Sequence, residues 1–167
     1  MLARIFTFPN PVNEKAARTV AFAVMVLGAL TLATSWYWLL VPLAYGFLAR
    51  VLTGPTLSPL GRVASSLIAP RLGPEKPVPG PPKRFAQGMG AAMTSAAAIA
   101  ALGLSAHGVA DVLLVMLILA AGLESILAFC VGCQVFGLLM RAGLVPPDVC
   151  AECADIWGRT GAAAGGR

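Results

Sequence analysis

Charge is the scarcest property of this chain. Only 11% of its 167 residues are Asp, Glu, Lys or Arg, against about 25% in a soluble domain. Hydrophobic residues make up 58% and the mean hydropathy is +0.83. Bilayer-spanning segments account for both facts, because they need long apolar runs and tolerate few charges. Histidine is nearly absent too: His107 is the single one, which rules out an HExxH zinc pair. There is no Gly-rich phosphate loop and no Ser/His/Asp set. Cysteine is missing from the first 129 residues, and this counts against passage of thiophilic metal ions through the membrane interior. The length allows one membrane domain over 1–167 and no sizeable soluble one.

What is present is a series of apolar runs. They read as an all-α polytopic membrane protein with four transmembrane helices, at about 17–34, 36–53, 85–106 and 110–133. The first two runs are short. They extend into their flanks or tilt, or they form one tight hairpin through Thr34-Ser35 with Trp36, Tyr37 and Trp38 at the interface. A cleaved signal peptide is the competing reading of the first run. Glu14 and the long preceding region argue against it, as do the three spans it would leave.

Lys and Arg occupy alternate connections. Arg4, Lys15 and Arg18 precede the first span, and Arg50, Arg62, Arg71, Lys76, Lys83 and Arg84 lie between the second and third. Arg141, Arg159 and Arg167 follow the fourth, while the connections around Ser35 and His107 have none. The positive-inside rule then places both termini in the cytoplasm. The basic residues flank apolar runs and do not interleave with aromatics, so the net charge of +5 does not indicate nucleic-acid binding.

The Pro-rich cytoplasmic connection, 54–84, begins with Ser58-Pro59, a helix start with Ser as cap and Pro in the first turn. Leu60, Val63, Ala64, Leu67 and Ile68 follow at helical spacing. This predicts an interfacial helix, or equally a short buried one. The stretch from Gly73-Pro74 to Pro82 should be extended. In span three, Gly88, Ala92, Ala96 and Ala100 recur every four residues. That stripe predicts a helix at the bundle centre, or one that self-associates.

Four cysteines carry the chemistry. Cys130 and Cys133 form one CxxC, Cys150 and Cys153 a second, and sixteen residues separate the pairs. The spacing fits a four-cysteine metal site. It also fits a relay in which each pair cycles between dithiol and disulfide. A third reading makes them small apolar fillers at a helix end. On the predicted cytoplasmic side, permanent disulfides are disfavoured. Cys130 and Cys133 are expected to share one face of a helix continuing span four. After a turn at Pro146-Pro147 in the C-terminal cytoplasmic tail, 141–167, Asp148 is expected to cap a short helix. Cys150 and Cys153 would lie in its first turn, where the helix N-terminus favours thiolate.

Glu124 lies within span four, where an ionisable group is costly and implies a function or a partner. Arg50 is the expected partner, with Gln87 and Gln134 as hydrogen-bonding groups nearby. The pair serves proton handling or simply orients two helices. Asp111 is read as the cap of span four, and His107 as a solvated loop residue.

Several motifs carry a family resemblance. They are Pro11-Val12-Asn13-Glu14, Tyr45-Gly46-Phe47 with Arg50, and Gly54-Pro55 followed by Ser58-Pro59-Leu60. Further along come Lys83-Arg84-Phe85-Ala86-Gln87, and Glu124 followed by Phe129-Cys130-Val131-Gly132-Cys133. With these the chain resembles the domain of unknown function 4395 family of small bacterial membrane proteins over nearly its whole length. The resemblance implies the bacterial inner membrane and a setting beside thioredoxin-like and rhodanese-like proteins. It implies no assigned reaction.

Two functional expectations follow. One is a thiol redox or sulfur relay. In it Cys130 and Cys133 form a pair at the membrane face, Cys150 and Cys153 meet a soluble partner, and Glu124 tunes or delivers protons. The other is an accessory subunit of a larger membrane complex. There the same four cysteines hold a structural zinc, or less favourably an iron–sulfur cluster.

Overall fold

The structure, a computed structural model, describes residues 8–150. It is built almost wholly of helices. Helix α1 spans Glu14–Thr34 and α2 spans Leu40–Thr53, which a 3-10 turn at Tyr37–Leu39 precedes. Helix α3, Pro59–Val63, runs on as a π turn over Ala64–Ile68 and a 3-10 turn over Ala69–Leu72. Helix α4 covers Gly80–Ala98 and ends in a π turn at Ile99–Gly103. Helix α5 is His107–Leu127 and α6 is Val131–Arg141.

The helix boundaries follow from local chemistry. The side chain of Asn13 accepts the Lys15 backbone N–H at 3.0 Å, which caps α1. Ser58 caps α3 by accepting the Gly61 N–H at 3.2 Å, with Pro59 in the first turn as expected. Pro42 lacks an N–H, so it cannot extend an α ladder backwards. It sits at the third position of α2, where the N–H would lack an intrahelical partner anyway. The preceding turn is therefore 3-10, and the apolar segment Tyr37–Thr53 stays short.

Three helices are long and apolar enough to cross a membrane: Glu14–Thr34, Gly80–Gly103 and His107–Leu127. The expected second span is a shorter apolar helix. Helix α1 packs against α5, α2 against α4, and α4 also against α5 and α6. The core holds Val20, Val24, Leu43, Phe47, Leu117 and Ala121 toward one end. Toward the other it holds Leu40, Ala97, Ala110 and Leu114. Large apolar side chains cover the outside, among them Phe22, Leu30, Val112, Leu119 and Ile126. An apolar exterior over apolar helices is compatible with a membrane protein.

Side-chain contacts define the two ends of the bundle. At one end Tyr37 stacks on His107 with ring centroids 4.8 Å apart, and its hydroxyl donates to Asp111 Oδ1 at 2.9 Å. Asp111 is therefore not the cap of α5, as its position had suggested. The helix begins at His107, and Asp111 in its second turn serves as an acceptor. At the other end Arg18 donates to the Ser125 and Ile126 carbonyls, and Arg50, Lys83 and Glu124 gather.

The Pro-rich connection is not loose. Val12–Asn13 pairs antiparallel with Pro77–Val78 as a two-stranded ribbon, β1 with β2. Glu14 donates its backbone N–H to Lys76 O, and its carboxylate pairs with Lys76 Nζ, both at 2.9 Å. The connection is thus tied across the start of α1.

Two packing faces differ from the sequence expectation. In α3 the small residues Gly61, Ala64 and Ala69 are buried, whereas Val63 and Leu67 point outward. Helix α4 is central, since it touches α2, α5 and α6. Yet Ala92 and Ala96 of the expected stripe are exposed. The buried face runs through Lys83, Gly90, Ala91, Thr94 and Ala97. In so Ala-rich a helix several four-residue stripes coexist. Gly90 selects among them, because the Phe47 ring lies where its Cβ would be.

Candidate functional site

The first cysteine pair is built by a chain break. Helix α5 stops at Ala128, whose φ of 56° is left-handed, and the Phe129 N–H reaches back to Leu123 O at 3.1 Å. The chain then restarts as α6, with Cys130 at its N-cap and Cys133 in its first turn. The expectation that the pair rides on a continuation of span four is therefore corrected. Glu124 and Cys130 belong to different helices, because the left-handed residue ends the first of them.

The geometry favours sulfur chemistry. Cys130 and Cys133 are joined as a disulfide, with Cα atoms 5.2 Å apart. Cys130 Sγ accepts the Cys133 backbone N–H at 3.3 Å. The N-terminal end of a helix presents unpaired N–H groups and a partial positive charge, both of which favour thiolate. Cys130 is buried and Cys133 is half-buried. Both line a cavity of about 300 Å³ that Lys83, Gln134 and Phe136 also line.

Gly132 explains how α6 reaches this position. A Cβ on it would lie 2.5 Å from Ala86 Cβ and 2.6 Å from Ala86 Cα. Only a glycine allows the first turn of α6 to touch the backbone of α4. The middle of the CxxC is thus a packing position as well as a spacer.

Lys83 and Glu124 form the charged neighbour of the thiols. Lys83 Nζ lies 2.5 Å from Glu124 Oε1, and the two side chains are 9% and 14% exposed. This corrects the expected Glu124–Arg50 pair. Arg50 instead donates from Nε to Gln87 Oε1 at 2.7 Å and from Nη1 to Ser58 Oγ at 3.2 Å. Its guanidinium also sits 4.5 Å over the Phe47 ring. The apolar pattern begins span three at residue 85, which puts Lys83 in the connection before it. The Pro81-Pro82 dipeptide after Gly80 was the usable signal, since prolines open a helix. A start there puts Lys83, Gln87, Gly90, Ala91 and Thr94 on one helical face.

The second pair is only partly described. Cys150 is buried and is not a free thiol, whereas Cys153 and the expected helix around it lie outside the described residues. Asp148 falls within a 3-10 turn, Pro147–Val149. Val149 lines a cavity with Phe85 and Phe136, so the chain has folded back over α4 and α6 by that point. Among the described residues no three of His, Cys, Asp and Glu converge as metal ligands.

Residues 12–141 match the family model described as domain of unknown function 4395, DUF4395. The chain belongs to this family. The DUF4395 match contains Lys83, Glu124, Cys130 and Cys133 and ends before Cys150 and Cys153. No curated protein and no solved structure matches the chain.

Proposed function

We propose that this DUF4395 protein is a membrane thiol relay whose working pair is Cys130–Cys133. The observation that carries the reading is the placement of a CxxC at a helix N-terminus. There one sulfur accepts a backbone N–H and a buried lysine lines the same cavity. These are the features that lower a thiol pKa and make a leaving thiolate.

The step is a thiol–disulfide exchange with a soluble dithiol partner of thioredoxin-like type. A partner thiolate attacks Sγ of Cys133, the more exposed residue of the pair. The Cys130–Cys133 bond breaks, and Cys130 leaves as the thiolate capped by the Cys133 N–H. The partner's second thiolate then attacks its own sulfur in the mixed disulfide, expelling Cys133. The partner leaves as a disulfide, two electrons have passed to the CxxC, and the two protons lost by the partner are taken up by Cys130 and Cys133. Lys83 supports the thiolate and Glu124 holds Lys83 in place. The reverse sequence returns the electrons.

The reading includes four spans in a bacterial inner membrane, with the cysteines and both termini cytoplasmic. Support for the fourth span comes from residues 37–53. Tyr37 contacts His107 at one end of the bundle, and Arg50 contacts Gln87 at the other. A run of this length is at the short limit for a crossing, about 17 residues.

One experiment tests sidedness and chemistry together. Spheroplasts and inverted membrane vesicles are equilibrated in glutathione buffers of graded ratio, then treated with a membrane-impermeant maleimide that adds mass per thiol. Cys130 and Cys133 should label as a two-electron couple in inverted vesicles only. Labelling from the outer face, or two sulfurs that never change together, would refute the proposal.

A further inference from the structure

A second cavity at the same end of the bundle contains neither cysteine of the described pair and shares only Lys83 with the relay. It measures about 250 Å³, and Arg50, Lys83, Gln87, Asn13, Ser65 and Glu75 contribute its polar lining. The N-terminal strap supplies an apolar wall that includes Pro9, Pro11 and Val12.

Arg50 is the unusual member. The residue is 5% exposed, yet its Nη2 has no hydrogen-bond partner among the described residues. The partners of its other nitrogens, Gln87 Oε1 and Ser58 Oγ, are neutral, as is the Phe47 ring beneath it. The nearby Lys83 pairs with Glu124, whose charge also acts on Arg50, and Glu75 is exposed. Two buried cations thus share one largely buried carboxylate, and Arg50 keeps one unused N–H pair. Burying an excess of one charge sign is costly, and water would satisfy the N–H groups without cancelling the excess. A guanidinium N–H pair donates well to an oxygen of a carboxylate or phosphate, which also brings negative charge.

We propose that Arg50 anchors a binding site for a small oxyanion, a phosphate or carboxylate group, in this cavity at the charged end of the bundle. Gln87 orients the guanidinium through Nε, Ser58 holds Nη1, and Nη2 is the nitrogen without a partner among the described residues. Asn13 and Ser65 are the further polar groups within the cavity. The group is either the phosphate of an anionic lipid or a free cytoplasmic anion. This inference stands independently of the thiol chemistry, because none of these residues is a cysteine.

The test uses the full-length protein in a sugar-headgroup detergent free of phospholipid. Thermal unfolding is followed while inorganic phosphate, acetate or phosphatidylglycerol is titrated at constant ionic strength. At least one of these should raise Tm to a plateau in the wild type. Arg50→Lys keeps the charge but loses the unpartnered Nη2 donors, so it should need at least about tenfold more ligand for the same rise. Ser65→Phe changes an exposed residue at the cavity and should abolish the rise without touching Arg50. A rise with phosphate or acetate assigns a free anion, and a rise with phosphatidylglycerol alone assigns a lipid phosphate. No rise with any probe would overturn the site, as would equal rises in wild type and both variants.

Discussion

Glu124→Gln should destabilise the protein by about 3–5 kcal/mol, because it leaves the Lys83 ammonium buried and unpaired. Lys83→Met should cost a similar amount by stranding the carboxylate. The double variant Lys83→Met with Glu124→Leu removes both charges and should recover most of the loss, since a buried pair can be replaced by apolar groups at little net cost. Reversible unfolding in mixed micelles measures all three. The double variant separates stability from chemistry. It should be folded, yet its Cys130–Cys133 couple should shift toward the disulfide, because the thiolates lose the Lys83 charge. Additive single effects, with no recovery in the double variant, would show that the two residues do not act as a pair.

Gly132→Val should be the most damaging change within the CxxC that leaves both sulfurs in place. The position of its Cβ is already taken by Ala86 of α4, and backbone cannot step aside as a flexible side chain can. Overpacking of this kind costs about 1–3 kcal/mol. The relief available is for α6 to lift away from α4, which opens the cavity beside Lys83. Cys133 should then react faster with a membrane-impermeant maleimide after reduction, alongside the lost stability. Val131→Ala next to it is the control and should leave both unchanged. A Gly132→Val protein as stable as the wild type would mean that α6 does not dock on α4 as described.

The amount of this legible in the sequence differs by element. Helix existence was plain wherever a long apolar run made it so, as in α1, α4 and α5, and Ser58-Pro59 marked α3 through a local cap. Segregation of Lys and Arg into alternate connections pointed to one charged end, and Arg18, Arg50 and Lys83 do meet there. The break at Ala128 was not legible, because nothing about an alanine announces a left-handed backbone. That single residue changes the cysteine site. It puts a helix N-terminus, and the thiolate stabilisation that goes with it, at Cys130–Cys133, whereas the sequence expectation puts one only at Cys150 and Cys153.

Pairing of charges was the other thing the sequence could not settle. Arg50 and Lys83 both lie toward the charged end of the bundle, and either could have met Glu124. Which one does is set by the rotation of α4. That rotation is fixed by Gly90 receiving Phe47 and by Gly132 meeting Ala86. These are contacts between residues far apart in the chain, and no local pattern encodes them. The small-residue stripe misled for the same reason, since spacing shows that a close-packing face exists without showing which face it is.

In the proposed relay the cysteines exchange electrons and do not hold a structural metal. Its most direct test is metal analysis of protein purified under reducing conditions, with thiols counted before and after chelation. The relay predicts no stoichiometric metal, thiols that are reactive without a chelator, and a Cys130–Cys133 pair that oxidises and re-reduces readily. About one zinc per chain, with thiols that become reactive only after chelation, would contradict it.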